Sequence, residues 1–416
     1  MTNRQLFLQH IAQTSDAPLG IEIARSEGMY LYDPQGKAYL DLIAGIGVSG
    51  LGHRHPAVVE AAKKQLDTYL HTLVYGEFVL APQVELASLL TRQLPHPLDS
   101  VYFVNSGTEA TEGAMKLAKR YTGRAEIIAC RKAYHGSTQG AASLMSPTDF
   151  TQAYYPLLPG IKHIEFNCAT CLNTITDQTA AVIVETVQGE WGVRPPDDSF
   201  LQQLRERCTK TGTVLIFDEI QAGYGRTGRL FAFEHHGVVP DILLLAKGMG
   251  GGMPIGAFVA SRELMGALAS QPILGHITTF GGHPVSCAAA LATLQTLLDS
   301  DLIEAVPRKE ALFRELLVHP EIHEVRSAGL MMAVQMRDFD FIRTVIQHCL
   351  QEGLITDWFL FNSGALRIAP PLIITEEQIR WACGVILDGI EKAVDQLGSK
   401  PRWAFGHTIG QEVKAG

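Results

Sequence analysis

Hydrophobic and polar positions along this chain follow two different periods. From about residue 100 to 260, short apolar runs are separated by stretches whose apolar residues recur every three or four positions. The runs are "VYFV" (101–104), "EIIAC" (126–130), "AAVIVE" (180–185), "VLIFDE" (214–219) and "DILLLA" (241–246). Runs this short and this uniformly apolar predict strands buried on both faces. Between them, "TEATEGAMKLAKRY" sets Ala110, Ala114, Leu117 and Tyr121 at helical spacing, and "SFLQQLRERCTKTG" predicts a second helix. Strand, crossover helix and strand in repetition predict an α/β domain, a mostly parallel sheet covered by helices.

Outside that stretch the pattern changes. "MYLYDPQGKAYLDL" reads as a hairpin turning at Pro34 and Gly36, and beyond about 300 helical patterns mix with strand-like "GLMMAVQM" (329–336) and "ALRIA" (365–369). The expected division is 1–55 and 299–416 as the two parts of a smaller α+β domain, with 56–298 as the large domain.

Ligands of parallel sheets bind beyond the carboxyl ends of the strands, so the residues that follow each run carry the interest. After "VYFV" stand Ser106, Gly107 and Thr108 at the start of a helix. Free amides there make a site for one anionic group, while a plain serine N-cap accounts for the same residues. The loop is neither a Walker A nor a GxGxxG sequence, so a nucleotide is not indicated. "EIIAC" leads to Tyr134 and His135, and "AAVIVE" leads to Glu190. "VLIF" ends on Asp218 and Glu219. Asp218 continues a buried run and requires a cationic partner, whereas Glu219 reads as solvated surface charge. "DILLLA" ends on Lys247, and a lysine closing a core strand is rare unless something pairs with it.

Such a set has a chemical logic. A partly desolvated lysine has a lowered pKa and condenses with an aldehyde. Pyridoxal 5′-phosphate has that aldehyde, one phosphate, a ring nitrogen that wants an acid and a ring face that wants an aromatic.

Composition narrows the partners. The 416 residues carry a net charge of −9 with no basic cluster, which argues against nucleic acid or an anionic membrane surface. The N-terminus lacks a secretory pattern, and no apolar stretch is long enough for a membrane span. Seven dispersed cysteines read as free thiols of a cytoplasmic protein. Cys168 and Cys171 have redox or zinc spacing, but without further ligands nearby no metal site is read.

Taken in order, "YLDLIAGIGVSGLGHRHPAVVEA", "VNSGTEATEGAMKLAK", "AYHG", "VQGE", "FDEIQAGYGRTG", "LLLAKGMGGGMPIGA", "TTFGGHPVSCAAALATL" and "LRIAPPL" resemble the class III pyridoxal-phosphate aminotransferases of fold type I. The acetylornithine and ornithine branch is the most similar. The resemblance implies that Lys247 holds the cofactor covalently and shuttles the substrate proton, and that Asp218 pairs with the ring nitrogen. Ser106, Gly107 and Thr108 would hold the phosphate, and Thr279 would reach the phosphate of the partner subunit in a homodimer. Tyr134 and Ile220 would cover the two ring faces, Gln221 would approach the phenolic oxygen, and Arg367 would bind a substrate carboxylate. Glu190 would mask Arg367 in one half-reaction and leave it in the other. These roles imply an ω-amino donor and 2-oxoglutarate as acceptor. One departure is Ser137, where that branch carries a carboxylate-binding arginine. A different donor (4-aminobutyrate, a diamine, a β-amino acid), or racemase or aminomutase chemistry on the same scaffold, is the alternative.

Overall fold

The computed structural model describes residues 1–16 and 18–398. The C-terminal segment "KPRWAFGHTIGQEVKAG", for which a free tail and a packed arm are both open readings from sequence, lies outside the described residues.

A seven-stranded sheet forms the centre. Its spatial order is Ser100–Val104, Gly256–Ala260, Ile242–Leu245, Val214–Asp218, Thr179–Glu185, Glu126–Cys130, Ile161–Ile164. Gly256–Ala260 runs antiparallel to both of its neighbours, and the other pairings are parallel. Every residue of Thr179–Glu185, Val214–Asp218 and Ile242–Leu245 is buried, as uninterrupted Val, Ile and Leu in a two-faced sheet should be.

Helix Gly107–Thr122 lies on one face. Ala110, Ala114, Leu117 and Ala118 are buried in it, and at Gly113 it lies tight against Phe258 of the sheet. A Cβ there would stand 2.4 Å from Phe258 Cε1, so only glycine permits the approach. Tyr121, counted with the inward set from its spacing, instead points outward and is 48% exposed. It sits in the last turn of the helix.

The two chain ends meet in a separate sheet. Arg25–Glu27, Tyr30–Tyr32 and Ala38–Asp41 are joined by Leu354–Ile355, which pairs in parallel with Leu40 and Asp41. The hairpin turns where expected, with Tyr32 opposite Ala38 and Asp33 Oδ1 accepting from the amides of Gln35 and Lys37. A third sheet orders Glu324–Ser327, Met332–Gln335, Asn362–Ile368 and Asp357–Phe359, all antiparallel.

The expectation of seven free thiols is corrected at one place. Cys168 and Cys171 are joined by a disulfide. The turn that starts the short helix Thr170–Thr174 bonds the Cys171 amide to the Cys168 carbonyl and brings the two Cα atoms to 5.3 Å, within disulfide reach. The other five cysteines are free and buried. Among the described residues no helix is long and apolar enough to cross a membrane.

Candidate active site

Adjacent strands of the central sheet end in register. Glu185 stands opposite Asp218, and Asp218 opposite Leu244. The loops after them therefore converge on one edge, around a cavity of about 500 Å³. Ser106, Gly107, Thr108, Tyr134, His135, Ser137, Glu190, Asp218, Ile220, Gln221 and Lys247 all line it. Two expected residues do not. Arg367 lies directly behind Glu190, and Thr279 is exposed outside the cavity.

Lys247 stands two residues beyond the end of strand Ile242–Leu245 and opens a single helical turn, Lys247–Gly250. Its φ is 44°, in a region that a side-chain-bearing residue enters at a cost. The amine makes no hydrogen bond among the described residues. Burial lowers its pKa below the usual lysine range, only partly opposed by the negative charges of Glu190, Asp218 and Glu185. It is the one lysine or arginine among the described residues that line the cavity.

Asp218 has a buried partner in place of the cation that its position leads one to expect. His135 Nδ1 is 2.7 Å from Asp218 Oδ2, with both side chains buried, and the Ile220 amide donates to Asp218 Oδ1 at 2.9 Å. Burial alone would lower the pKa of His135, but the bond to Asp218 and its charge outweigh this and raise it. The other ring nitrogen, Nε2, is buried without a partner.

Ser106 is the N-cap of helix Gly107–Thr122, its Oγ accepting from the Glu109 amide at 3.3 Å. The amides of Gly107 and Thr108 have no acceptor within the helix, as helix geometry requires of its first turn, and both residues line the cavity. Both readings of this loop hold together: the cap organises a turn whose remaining donors are available to an anion.

Sequence reasoning missed Glu185 and misplaced Glu219. Glu185 Oε1 accepts from the Tyr134 amide at 3.0 Å and Oε2 from the Gly189 amide at 2.7 Å, tying together two cavity loops. Burial pushes its carboxyl up to about 7. Glu219 is not solvated surface charge. It is 1% exposed and its two oxygens accept from the amides of Ala232 and Phe233 at 2.7 and 2.6 Å. The chain turns back over it, so it fastens the glycine-rich loop instead of facing water.

Glu190 and Arg367 form a two-pronged pair. Arg367 Nη1 and Nη2 donate to Glu190 Oε1 and Oε2, each at 2.9 Å, and both residues are buried. Burial raises the Glu190 carboxyl, but the adjacent guanidinium more than reverses this and holds it below the usual range. Ser137 is exposed and its Oγ lies 2.8 Å from Tyr134 Oη.

The geometry is matched by similarity. The sequence profile of the family "Aminotransferase class-III" covers residues 11–390. The chain is 42% identical over 375 residues to the acetylornithine aminotransferase of Methanopyrus kandleri, covering 89% of this chain and 94% of that protein. It is 41% identical to that of Methanocaldococcus jannaschii, covering 91% and 94%. Among solved structures it superposes on the ornithine aminotransferase from Toxoplasma gondii with a TM-score of 0.87 at 31% identity, covering 94% of each chain. A transaminase from the marine bacterium Virgibacillus gives 0.89 at 26%, covering 95% and 100%. With its lysine at the edge of an α/β sheet and its arginine behind a glutamate, the chain belongs to the class III aminotransferases of fold type I, transaminases that depend on pyridoxal 5′-phosphate.

Proposed function

We propose that this enzyme moves the terminal amino group of an ornithine-like ω-amino donor to 2-oxoglutarate, releasing glutamate. The observation that carries the reading is the fork of Glu190 on Arg367 behind the cavity of Lys247. Arginine presents two parallel donors that match a carboxylate. With those donors covered, a substrate enters by the amine end that carries no carboxylate. With Glu190 withdrawn, the same donors take the α-carboxylate of a 2-oxo acid or of glutamate. The names of the curated relatives support an ornithine-like donor.

The residues present fit the cofactor. The Lys247 amine is not engaged by a hydrogen bond, the first-turn amides of helix Gly107–Thr122 line the same cavity, and Asp218 is backed by His135. At Gly107 an added Cβ would lie 2.8 Å from Ile220 Cδ1, so glycine keeps Ile220 free to cover a ring face. In this reading Ser106, Gly107 and Thr108 hold the phosphate, Tyr134 and Ile220 hold the ring, Gln221 meets its phenolic oxygen and Asp218 its nitrogen. The cofactor supplies, when bound, an electrophilic carbon and a ring that takes up the electron pair left by a departing substrate proton. Lys247 accepts that proton and returns it, and burial favours the neutral form that this requires. Asp218, kept in place by His135 and the Ile220 amide, favours positive charge on the ring nitrogen.

The same reading includes a homodimer in which the exposed Thr279 reaches the partner's site, a cytoplasmic location, and a large domain over 56–298 with both chain ends forming the smaller one. A second reading keeps the reaction and changes the donor. Ser137 offers a neutral hydroxyl already engaged with Tyr134 where an ornithine-type carboxylate would want a charged fork, which favours a donor of different length or shape. One experiment separates them. The holoenzyme is mixed with acetylornithine, ornithine, lysine, 4-aminobutyrate, β-alanine or glutamate, and loss of the cofactor's visible band is followed in the first half-turnover. Bleaching by acetylornithine or ornithine, with glutamate then formed one-for-one from 2-oxoglutarate, supports the first reading. Bleaching by 4-aminobutyrate or β-alanine instead supports the second, and bleaching by none of the amines sinks both.

A further inference from the structure

Arg367 has a second carboxylate that the Glu190 exchange does not use. Its Nε donates to Asp357 Oδ1 at 2.8 Å, while Nη1 and Nη2 belong to Glu190. The two acids are mounted differently. Asp357 stands directly opposite Arg367 on neighbouring antiparallel strands, Asp357–Phe359 and Asn362–Ile368. On its other side Arg367 pairs with Ala333, so its strand is held from both edges. Thr356 Oγ1 donates to the Arg367 carbonyl at 2.6 Å, and the guanidinium lies 4.3 Å over the Phe359 ring. Glu190 instead sits in a loop, closed by a bridge between Gln188 and Arg194 and turned by Gly192 and Val193 at positive φ. One acid is fixed to the sheet that carries the arginine, and the other belongs to a separate loop.

We propose that Asp357 is a positioning residue for the acceptor carboxylate, holding the guanidinium by Nε so that its two-pronged edge stays aimed when Glu190 leaves. This rests on the acceptor reading above. A guanidinium has five donors in one plane. Fixing one edge removes rotation about the long side chain, and the ordering that a bound carboxylate would otherwise impose is already in place. Glu190 and the acceptor then exchange on the same two nitrogens without Arg367 moving. The Trp358 carbonyl, which accepts from Nη2 at 3.1 Å, supports the same orientation.

The test compares Asp357→Ala, which removes the Nε acceptor, with Asp357→Asn, which keeps an oxygen there without the charge. Three quantities are read on holoenzyme: KM for 2-oxoglutarate, the rate of cofactor bleaching by the ω-amino donor, and binding of glutarate, an unreactive dicarboxylate, by calorimetry. Asp357→Ala is expected to raise the KM and weaken glutarate by about tenfold or more, as loss of one charge-assisted bond does. Bleaching by the donor should stay within about twofold, because in that half-reaction Arg367 stays covered by Glu190 and binds no substrate carboxylate, and Asp357→Asn should restore glutarate affinity to within about threefold of wild type. Unchanged glutarate binding in Asp357→Ala overturns the proposal. So does an Asn variant as weak as the Ala variant, since charge and not position would then be what Asp357 supplies. Equal loss in both half-reactions also overturns it, by showing a general structural role. A wild-type enzyme that neither binds glutarate nor consumes 2-oxoglutarate removes the acceptor reading itself and this proposal with it, an outcome recognisable before any variant is made.

Discussion

Glu190 grips Arg367 with both carboxylate oxygens and grips the following hairpin as well, its Oε2 accepting from the Leu360 amide at 3.1 Å and its carbonyl from Phe361 at 3.0 Å. The closed state is therefore held by more than one charge pair, and withdrawing the Glu190 carboxylate requires its bonds to Arg367 and to the Leu360 amide to be replaced. In Glu190→Gln the charge is lost and one prong becomes an NH2 group facing a guanidinium N–H. Arg367 then stands ready for a carboxylate in both half-reactions. The expected result is a fall of about tenfold or more in the preference for an ω-amino donor over glutamate, read as the ratio of their kcat/KM values, because each charge-assisted bond is worth ~1.5–3 kcal/mol. An unchanged ratio would show that Glu190 does not gate the arginine.

Lys247 is distinguished from the exposed lysines by its surroundings, and this can be tested without cofactor. Burial favours its neutral form, and only a neutral amine attacks an acylating reagent. In cofactor-free protein near pH 7.5, limited acetic anhydride should therefore label Lys247 ahead of exposed lysines such as Lys63 and Lys64. Peptide mass spectrometry at low labelling checks the order. Lys247→Ala should keep the wild-type circular dichroism and lose turnover by about four orders of magnitude, the upper range for a positioned proton-transfer group. Near-normal turnover in that variant would rule out the assigned chemistry.

Ser137 bears on the donor. The cavity has no lysine or arginine among its described lining residues besides Lys247, so a donor's distal carboxylate meets no fixed cation from this chain there. Ser137→Arg introduces one beside Tyr134. If the donor is of the acetylornithine type, its KM should fall by about tenfold, the effect of one new charge-assisted bond, with little change for an amine that has no distal carboxylate. A rise in KM for acetylornithine would mean that other groups already hold its carboxylate and the arginine obstructs them.

Much of this architecture was legible because buried parallel strands leave a strong trace. "EIIAC" is strand Glu126–Cys130 residue for residue, and "DILLLA" contains Ile242–Leu245. The rule that ligands gather beyond strand ends then led to Asp218, His135 and Lys247. Other features have no local trace. Periodicity carries no direction, so the antiparallel run of Gly256–Ala260 could not be read from it. "IKHI", the edge strand Ile161–Ile164, alternates too briefly to stand out. Glu219 meets amides thirteen and fourteen residues further on, and Asp357 meets its arginine ten residues away across a hairpin. In both, an acid's role depends on a partner that only the tertiary fold brings near.

Glu219 also gives the protein a pH dependence that can be isolated. Burial pushes its carboxyl from the ordinary 4.5 up to about 8, against the opposing effect of the Ala232 and Phe233 amides. The folded protein thus keeps a proton that the unfolded chain has already lost between about pH 4.5 and 8. Unfolding releases that proton, so stability falls as pH rises through this window, with the contribution fully present below 4.5 and gone above 8. Glu185, at about 7, and Asp357, at about 6, act in the same direction, so wild type alone would report a sum. Comparison with Glu219→Gln, which cannot ionise, separates the single group. The stability advantage of wild type over the variant should be largest near pH 5 and shrink toward pH 8.5, by at most about 1.4 kcal/mol per pH unit. Urea unfolding of both proteins across this range measures it, and an advantage that stays constant or grows with pH would show that Glu219 is ionised in the folded state throughout.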